Sequence, residues 1–585
     1  MFLREHRVTR KGKSYIYLKL VESVWSDGGP RQRVLANLGN RDLWPPEKII
    51  QFQTQLQRLV GPAPAFKGHP LEGGRCWEFG ETLALEAVWR RLRLSEHLAA
   101  CLSAHPVHFD VAGAIQVMVF NRLIDPESKW GLCPWQRRYF FPTVGAPTFQ
   151  AHHYYRALDY LMQIKQRLES RLWKQMQDLF NSEATLVFYD LTDSAFYGAM
   201  ERSGLAAFGR AKEGRAHGKQ IMIGLLVNNQ GMPITHHVFR GNTKDDTTVA
   251  QGAADLKKRF DIRHCIFVGD CGTLNAKSVL GLHGSDGRYD YITSLKLRRN
   301  GEAEELVKQL PDREKFRKLS EDEWIHVLPT ASDEDGRPLR YVATYHTKSA
   351  QAAAHARQER LQKVVQELEH LGRPPAMRKR LDSPDKIRRA LQNALASRRA
   401  EKFFQWQYSD DHQFHYEGDP AGLAYERARD GLQILKTDST ALSDEEVVRG
   451  YRTLWRVERA FHEVKDNIGV FADRPAGPAG LNAGHAGLPI GKNIELRPNH
   501  HHTDPRIAAH VFVCVLAYLM ENVIDTLLDQ AGSSFSARAA LESLRSIHLS
   551  HMPVIERNLK YVTPPNESNR MILQALGQEK IPTIV

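Results

Sequence analysis

Polar and apolar residues alternate over Ser14–Val21 (SYIYLKLV). A second stretch of the same kind, Arg31–Leu38, follows a Ser-Asp-Gly-Gly-Pro turn at 26–30. A period of two interrupted by Gly and Pro predicts a small β-hairpin, here carrying Arg4, Arg7, Arg10, Lys11, Lys13, Arg31 and Arg33. A helix is expected from Pro45-Pro46 to about Val60, and Gly61-Pro-Ala-Pro-Ala reads as a linker. Between 80 and 180 the apolar spacing lengthens to that of helices. It predicts segments at about 81–103, 109–124 and 149–180, with breaks at Pro106, Pro126 and Pro142.

From residue 184 the pattern returns to strands. Thr185–Asp190 is an apolar run ending on a carboxylate, and Ile221–Val227 and Pro233–Phe239 follow, joined by an Asn-Asn-Gln-Gly turn at 228–231. Thr247–Phe260 is helical, with Asp245 and Asp246 as caps at its start. His264–Asp270 is a strand that again ends on a carboxylate, and Tyr289–Leu297 is a fifth. Three turn-joined strands, a helix, then two strands separated by a helix give the order of an RNase H-like mixed sheet with helical cover. Residues 300–440 interrupt it with strands at Ile325–Leu328, Arg340–Tyr345, Phe403–Tyr416 and Gly431–Lys436. Charged helices lie at about 349–371 and 384–400. The fold class expected is therefore α/β, an RNase H-like core interrupted by an inserted α+β domain and preceded by a β-hairpin segment and a helical domain. The expected divisions are 1–62, 63–183, 184–300, an insertion at 301–440, a second core part at 441–530 holding a flexible 471–495 loop, and a helical tail at 531–585.

Charge adds a partner class. The 585 residues carry 80 Lys+Arg against 68 Asp+Glu, a net +12, which favours an anionic polymer. Six cysteines are scattered without a C-x-x-C pair, so a reducing compartment is expected. The N-terminus has no apolar signal core, and Val511–Met520 is too short to span a bilayer. The expectation is a soluble, cytoplasmic protein without a membrane partner.

The candidate chemistry lies in three acids. Asp190 and Asp270 each end an apolar strand, which for either alone signals only solvation. Ser443-Asp-Glu-Glu446 is a capping box that launches a helix through Val447–Lys465. On that helix Tyr451, Glu458 and Lys465 are seven residues apart and share one face, flanked by Leu454, Trp455 and Phe461. A carboxylate on an apolar face needs a partner, and a metal shared with Asp190 and Asp270 supplies one. Among other polar residues, Asp193 reads as a turn cap, Glu463 as a partner of Arg456 or Arg459, and His500-His-His502 as a surface run.

Tyr451-x₂-Leu454-x₃-Glu458-x₆-Lys465 resembles the "YREK" signature of insertion-sequence DDE transposases. Here Leu454 stands where that family has Arg; either Arg452 or Arg456 replaces its phosphate contact, or that contact is absent. Tyr189-Asp-Leu-Thr192 and Val268-Gly-Asp-Cys-Gly272 resemble the family's two Asp strands. The stretch from Gly224 through Asn242 resembles the segment between them, and Ile507–Phe512 resembles the helix after the Glu. The resemblance implies a DNA transposase whose Asp190, Asp270 and Glu458 hold two Mg²⁺ ions, with Mn²⁺ as a substitute. Asp190 would bridge both ions, Asp270 would hold one and Glu458 the other. Three acids suit Mg²⁺, which prefers carboxylate oxygens and keeps several waters. It also implies DNA contacts from Tyr451, Arg452, Arg456 and Lys465. The partners would be double-stranded transposon ends and target DNA, bound by a homodimer. The rival readings are an inactive transposase-derived DNA-binding protein and an RNase H-like nuclease without strand transfer.

Overall fold

The computed structural model describes residues 2–10, 13–26, 29–41, 75–180, 185–196, 200–209, 218–244, 247–283, 288–298, 301–329, 331–332, 337–372, 384–397, 400–408, 414–454, 501–554 and 557–578. The chain divides into two compact units, Met1–Gly74 and Arg75–Val585.

In the first unit, β1 (Phe2–Arg10), β2 (Lys13–Ser26) and β3 (Gly29–Asn40) form an antiparallel sheet in that order. The hairpin expected across 26–30 is present, with Ser26 opposite Gly29, and Leu18 and Val21 are buried. The sequence did not point to β1, because FLREHRVTR holds too few apolar residues to alternate. The expected Pro45–Val60 helix lies outside the described residues.

The second unit opens with β4 (Arg75–Glu78) and helices Gly80–Arg91, Leu94–Leu102, Val111–Ile124 and Ala151–Phe180. The single helix expected at 81–103 is two, broken where Arg93 takes φ 51°. Asp110 caps the next one by accepting from the Gly113 N–H at 2.8 Å. Buried Tyr154, Leu158, Leu161, Ile164, Leu168 and Leu172 recur every three or four residues along the last.

The centre is a ten-stranded mixed sheet. β5 (Leu186–Ala195), β6 (Gln220–Asn228) and β7 (Pro233–Arg240) form an antiparallel meander, and β8 (His264–Val268) and β9 (Arg288–Ser294) run parallel to β5 on its other side. Helices Val249–Phe260 and Ala276–His283 make the two crossovers. β6 is buried along its whole length, as a strand covered on both faces must be. Gly224 makes room within it, since a Cβ there would lie 2.7 Å from the Tyr189 hydroxyl.

Residues 301–440, expected as an insertion, do two things. β10 (Arg317–Ser320), β11 (Glu323–Val327), β12 (Ala331–Ser332), β13 (Pro338–His346) and, further along the chain, the strand Leu432–Thr437 extend the same sheet past β9. Helices Thr347–Gly372 and Pro384–Ser397 instead share a small core of their own, with Val364, Leu368, Ile387, Leu391 and Phe403 buried together beside the hairpin β14 (Phe404–Tyr408) and β15 (Phe414–Gly418). The Leu432–Thr437 strand is β16; it pairs antiparallel with β9 and β13.

Helix Asp504–Gln530 extends well beyond the apolar stretch read at Val511–Met520. It is long and apolar enough to cross a membrane by composition, yet 89 % of its apolar window is buried inside the fold. It packs on Ala151–Phe180, Val111–Ile124 and β7. His501 just before it is buried and not a surface residue, its ring 5.3 Å from His510 and 5.7 Å from Tyr155. Near the chain's end, β17 (His548–Val554) pairs with β4 and with β18 (Arg557–Val562).

One ionic hub ties helices to the meander edge. Glu169, buried on Ala151–Phe180, meets Lys165 at 2.8 Å, His236 of β7 at 3.0 Å and Arg259 of Val249–Phe260 at 2.5 Å. Arg259 also holds Asp255 at 2.7 Å.

Candidate active site

β5 and β8 are parallel neighbours whose last matched pair is Phe188 and Val268. Asp190 and Asp270 each lie two residues further on. The shared register therefore brings both carboxylates to the same end of adjacent strands. Ligands in sheets with parallel strands collect at that carboxyl end.

The second acid is set by its own turn. Asp270 Oδ1 accepts from the Gly272 N–H at 3.1 Å and the Thr273 N–H at 2.8 Å, while its carbonyl accepts from the Leu274 N–H at 2.8 Å. Gly272 suits this wrap, because a Cβ there would come within 3.3 Å of Asp270 Oδ2. The Thr273 hydroxyl donates to Asp190 Oδ1 at 3.4 Å, and the Leu191 N–H donates to the same oxygen at 2.8 Å. Asp270 is exposed, Asp190 half-buried and Thr273 fully buried, so the acids open outward from a closed base.

Cys271 sits between them and the next strand. Burial, then the charge of Asp270, push its thiol up, while Lys296 and Ser294 act in the opposite direction. Asp193, read as a turn cap, instead lies within β5 opposite Met222 and is 7 % exposed. Three residues from Asp190 on a strand, it belongs to the other face. β5 runs on to Ala195 because β6 keeps pairing with it as far as Gln220.

The helix launched at Ser443 spans Asp444–Arg452, with the capping box formed as expected. Arg340 of β13 anchors its first turn through Asp444 at 2.9 Å and the Leu442 carbonyl at 2.7 Å. The helix lies against the sheet at Gly450, where a Cβ would make ordinary van der Waals contact with Ile292 of β9 and Leu186 of β5 at 3.4 Å. Tyr451 is buried and its hydroxyl donates to Ser294 Oγ at 2.8 Å, at the end of β9. Arg452 pairs with Glu323 of β11, which is 2 % exposed. Leu454 is buried in the main core.

Among the predicted site residues, then, Asp190 and Asp270 come together, and Tyr451 plants the helix beside them. Glu458, Arg456 and Lys465, with Arg459, Glu463, Asp245 and Asp246, lie outside the described residues. Among the described residues no group of three His, Cys, Asp or Glu is placed to hold a metal ion. Thr273 and Ser294 were not singled out from the sequence. The signal for Thr273 was the next residue after the quoted Val268–Gly272 run; Ser294 had none.

Two family models match the chain. One, for the N-terminal domain of IS1634 family transposases, covers residues 3–60, and the other, for the transposase DDE domain, covers residues 191–483. No curated protein matches. Among solved structures, a cryo-EM structure of a piggyBac transposase synaptic complex with hairpin DNA aligns over 80 % of this chain and 79 % of that one. The two share 8 % identity at a TM-score of 0.35.

Proposed function

Because the chain belongs to the insertion-sequence DDE transposases, we propose that it cuts DNA at the ends of a mobile element and joins the freed ends to target DNA, using Asp190, Asp270 and Glu458. In the first step water attacks the scissile phosphorus and the P–O3′ bond breaks. In the second, the released 3′-OH attacks a target phosphodiester and displaces its 3′ oxygen.

The observation that carries this reading is the pairing of Asp190 and Asp270 at the ends of parallel β5 and β8, joined through Thr273. The strand order β7-β6-β5-β8-β9, antiparallel then parallel, supports an RNase H-like core. Helix Asp444–Arg452, six residues before Glu458 in the sequence, is held to Ser294 at the same end of the neighbouring strand β9. Divalent metals serve DDE transposase domains generally, and the donor set here fits Mg²⁺: hard carboxylate oxygens wrapped closely by a glycine turn. Asp190, Asp270 and Glu458 would hold the ions, which when bound activate the attacking oxygen and stabilise the leaving one.

Arg456 and Lys465 follow the phosphates leading to the scissile bond. Tyr451 and Arg452, grouped with them as DNA contacts at the sequence level, brace the helix against the sheet. Residues 1–180 recognise the element's ends, a dimer brings two ends together, and the enzyme works in the bacterial cytosol.

Asp190→Asn, Asp270→Asn and Glu458→Gln should each abolish cleavage of transposon-end DNA and leave its binding intact. Near wild-type cutting by any of them removes that residue from the ligand set, and robust cutting in excess EDTA removes the metals.

A further inference from the structure

Asp190 and Asp270 are like charges at the ends of neighbouring strands. Before any cation arrives they repel, and each is free to rotate about χ1 and χ2 unless something holds it. Two donors from one residue do so. The Thr273 backbone N–H reaches Asp270 Oδ1 at 2.8 Å, and the Thr273 hydroxyl reaches Asp190 Oδ1 at 3.4 Å. The residue is completely buried and β-branched, so its own χ1 is stiff. Its carbonyl is held in turn by the Ser278 hydroxyl at 2.6 Å, at the start of the Ala276–His283 helix. Ser278 also bonds Asn275 Oδ1 at 3.2 Å, which closes the turn from behind.

We propose that Thr273 is a positioning residue: it fixes the spacing and rotamers of Asp190 and Asp270 in the absence of metal, so that the first divalent cation meets a formed pair of ligands. This rests on the reading of those two aspartates as metal ligands. A bond network assembled in advance removes the ordering cost from the binding step. The effect should therefore appear in metal affinity before it appears in chemistry.

The test measures Mn²⁺ binding to the full chain without DNA, by electron paramagnetic resonance or calorimetry. Thr273→Val keeps the shape and burial and removes only the hydroxyl; Thr273→Ser keeps the hydroxyl. Thr273→Val should weaken Mn²⁺ binding about tenfold and raise the Mg²⁺ concentration needed for half-maximal cleavage. Thr273→Ser should restore both to within about twofold of wild type. Unchanged Mn²⁺ affinity in Thr273→Val, or an equal loss in Thr273→Ser, overturns the proposal. If the valine variant does not fold, Thr273→Ala set against Thr273→Ser carries the same comparison. Asp190→Asn in the same titration separates the two readings. Lost Mn²⁺ binding there with none lost in Thr273→Val defeats the role of Thr273 alone, whereas binding unaffected by Asp190→Asn defeats the metal-ligand reading beneath it.

Discussion

The Tyr451 hydroxyl donates to Ser294 Oγ at 2.8 Å, and this bond ties the last turn of helix Asp444–Arg452 to the end of β9. Ser294 closes β9, whose parallel neighbour β8 leads into Asp270. Glu458 follows Tyr451 by seven residues in the sequence, so a shift in Tyr451 would displace the chain that leads to it. Tyr451→Phe should cost about 1 kcal/mol of stability, the usual net worth of one hydrogen bond. It should lower the cleavage rate and leave DNA affinity unchanged. Ser294→Ala should do the same, and the double variant should be no worse than either alone. A flatter salt dependence of DNA binding in Tyr451→Phe would instead make this hydroxyl a phosphate contact.

The Glu169 hub gives a pH dependence with a definite sign. Burial alone would raise the Glu169 carboxyl, but Lys165, His236 and Arg259 outweigh it and hold it far below the usual carboxylate range. His236 is pushed down to about 4 by burial and then by Lys165. Both folded values lie below the unfolded ones, so the unfolded chain binds more protons as the pH falls. The stabilisation is complete above about pH 6.5. It fades through His236 between about 6.5 and 4, and through Glu169 below about 4.5. Thermal midpoints measured across pH 4–8 should fall on the acid side. Glu169→Gln should flatten the part below 4.5 while costing about 3–5 kcal/mol at pH 7, the range for breaking a buried ionic network. A midpoint independent of pH over that span would show that the hub does not titrate with folding.

A second buried group has the same sign at higher pH. Lys129 is 6 % exposed, and burial, then the charge of Arg122, push its ammonium down to about 7. The geometry agrees. Arg122 Nη2 lies 2.6 Å from His510 Nε2, and an arginine can only donate, so a neutral His510 carries its proton on Nδ1. Lys129 Nζ lies 3.5 Å from that Nδ1 and can accept from it only as a neutral amine. With the folded value below the unfolded one, stability should rise with pH between about 7 and 10. Lys129→Met should remove that rise. Parallel pH curves for the variant and wild type would mean that Lys129 stays charged in the fold.

What could be read from the sequence follows how local each signal is. Asp190 and Asp270 were legible because apolar runs ended on them, and the Ser443–Glu446 box because its partners are three residues apart. Thr273 was not, since its hydroxyl serves an acid 83 residues away. Asp193 looked like a turn because Thr192, Asp193 and Ser194 break the apolar run, yet their strand continues on the strength of pairing with β6. The strands of 301–440 show their own alternation but not that β16 will pair with β9, a choice made by neighbours 141 to 145 residues apart. Charge covers most of the surface of the two helices there. Only when paired do Val364, Leu368, Ile387 and Leu391 close a core.

Substitutions at Arg452 and Arg456, four residues apart in the sequence, test bracing against DNA binding. The family's arginine position is Leu454 here, and Leu454 is buried, so any phosphate contact of that kind would come from another residue. Arg452 is engaged with Glu323, whose carboxyl is 2 % exposed while the arginine side chain is 42 % exposed. Arg452→Ala leaves that carboxylate buried without its cation. It should cost about 2–3 kcal/mol, below the ~3–5 of a fully buried pair because water reaches the arginine. DNA affinity at fixed salt should hardly change. Arg456→Ala should show the reverse, with stability unchanged and the slope of log K against log salt reduced by about 0.9, the value for one lost phosphate contact. Lys465→Ala should reduce the same slope and also slow cleavage. Two titrations decide it: denaturant unfolding for stability, and DNA binding across a salt series for the slope. If Arg452→Ala loses the slope and keeps its stability, then its guanidinium serves DNA and Glu323 is stabilised by other means.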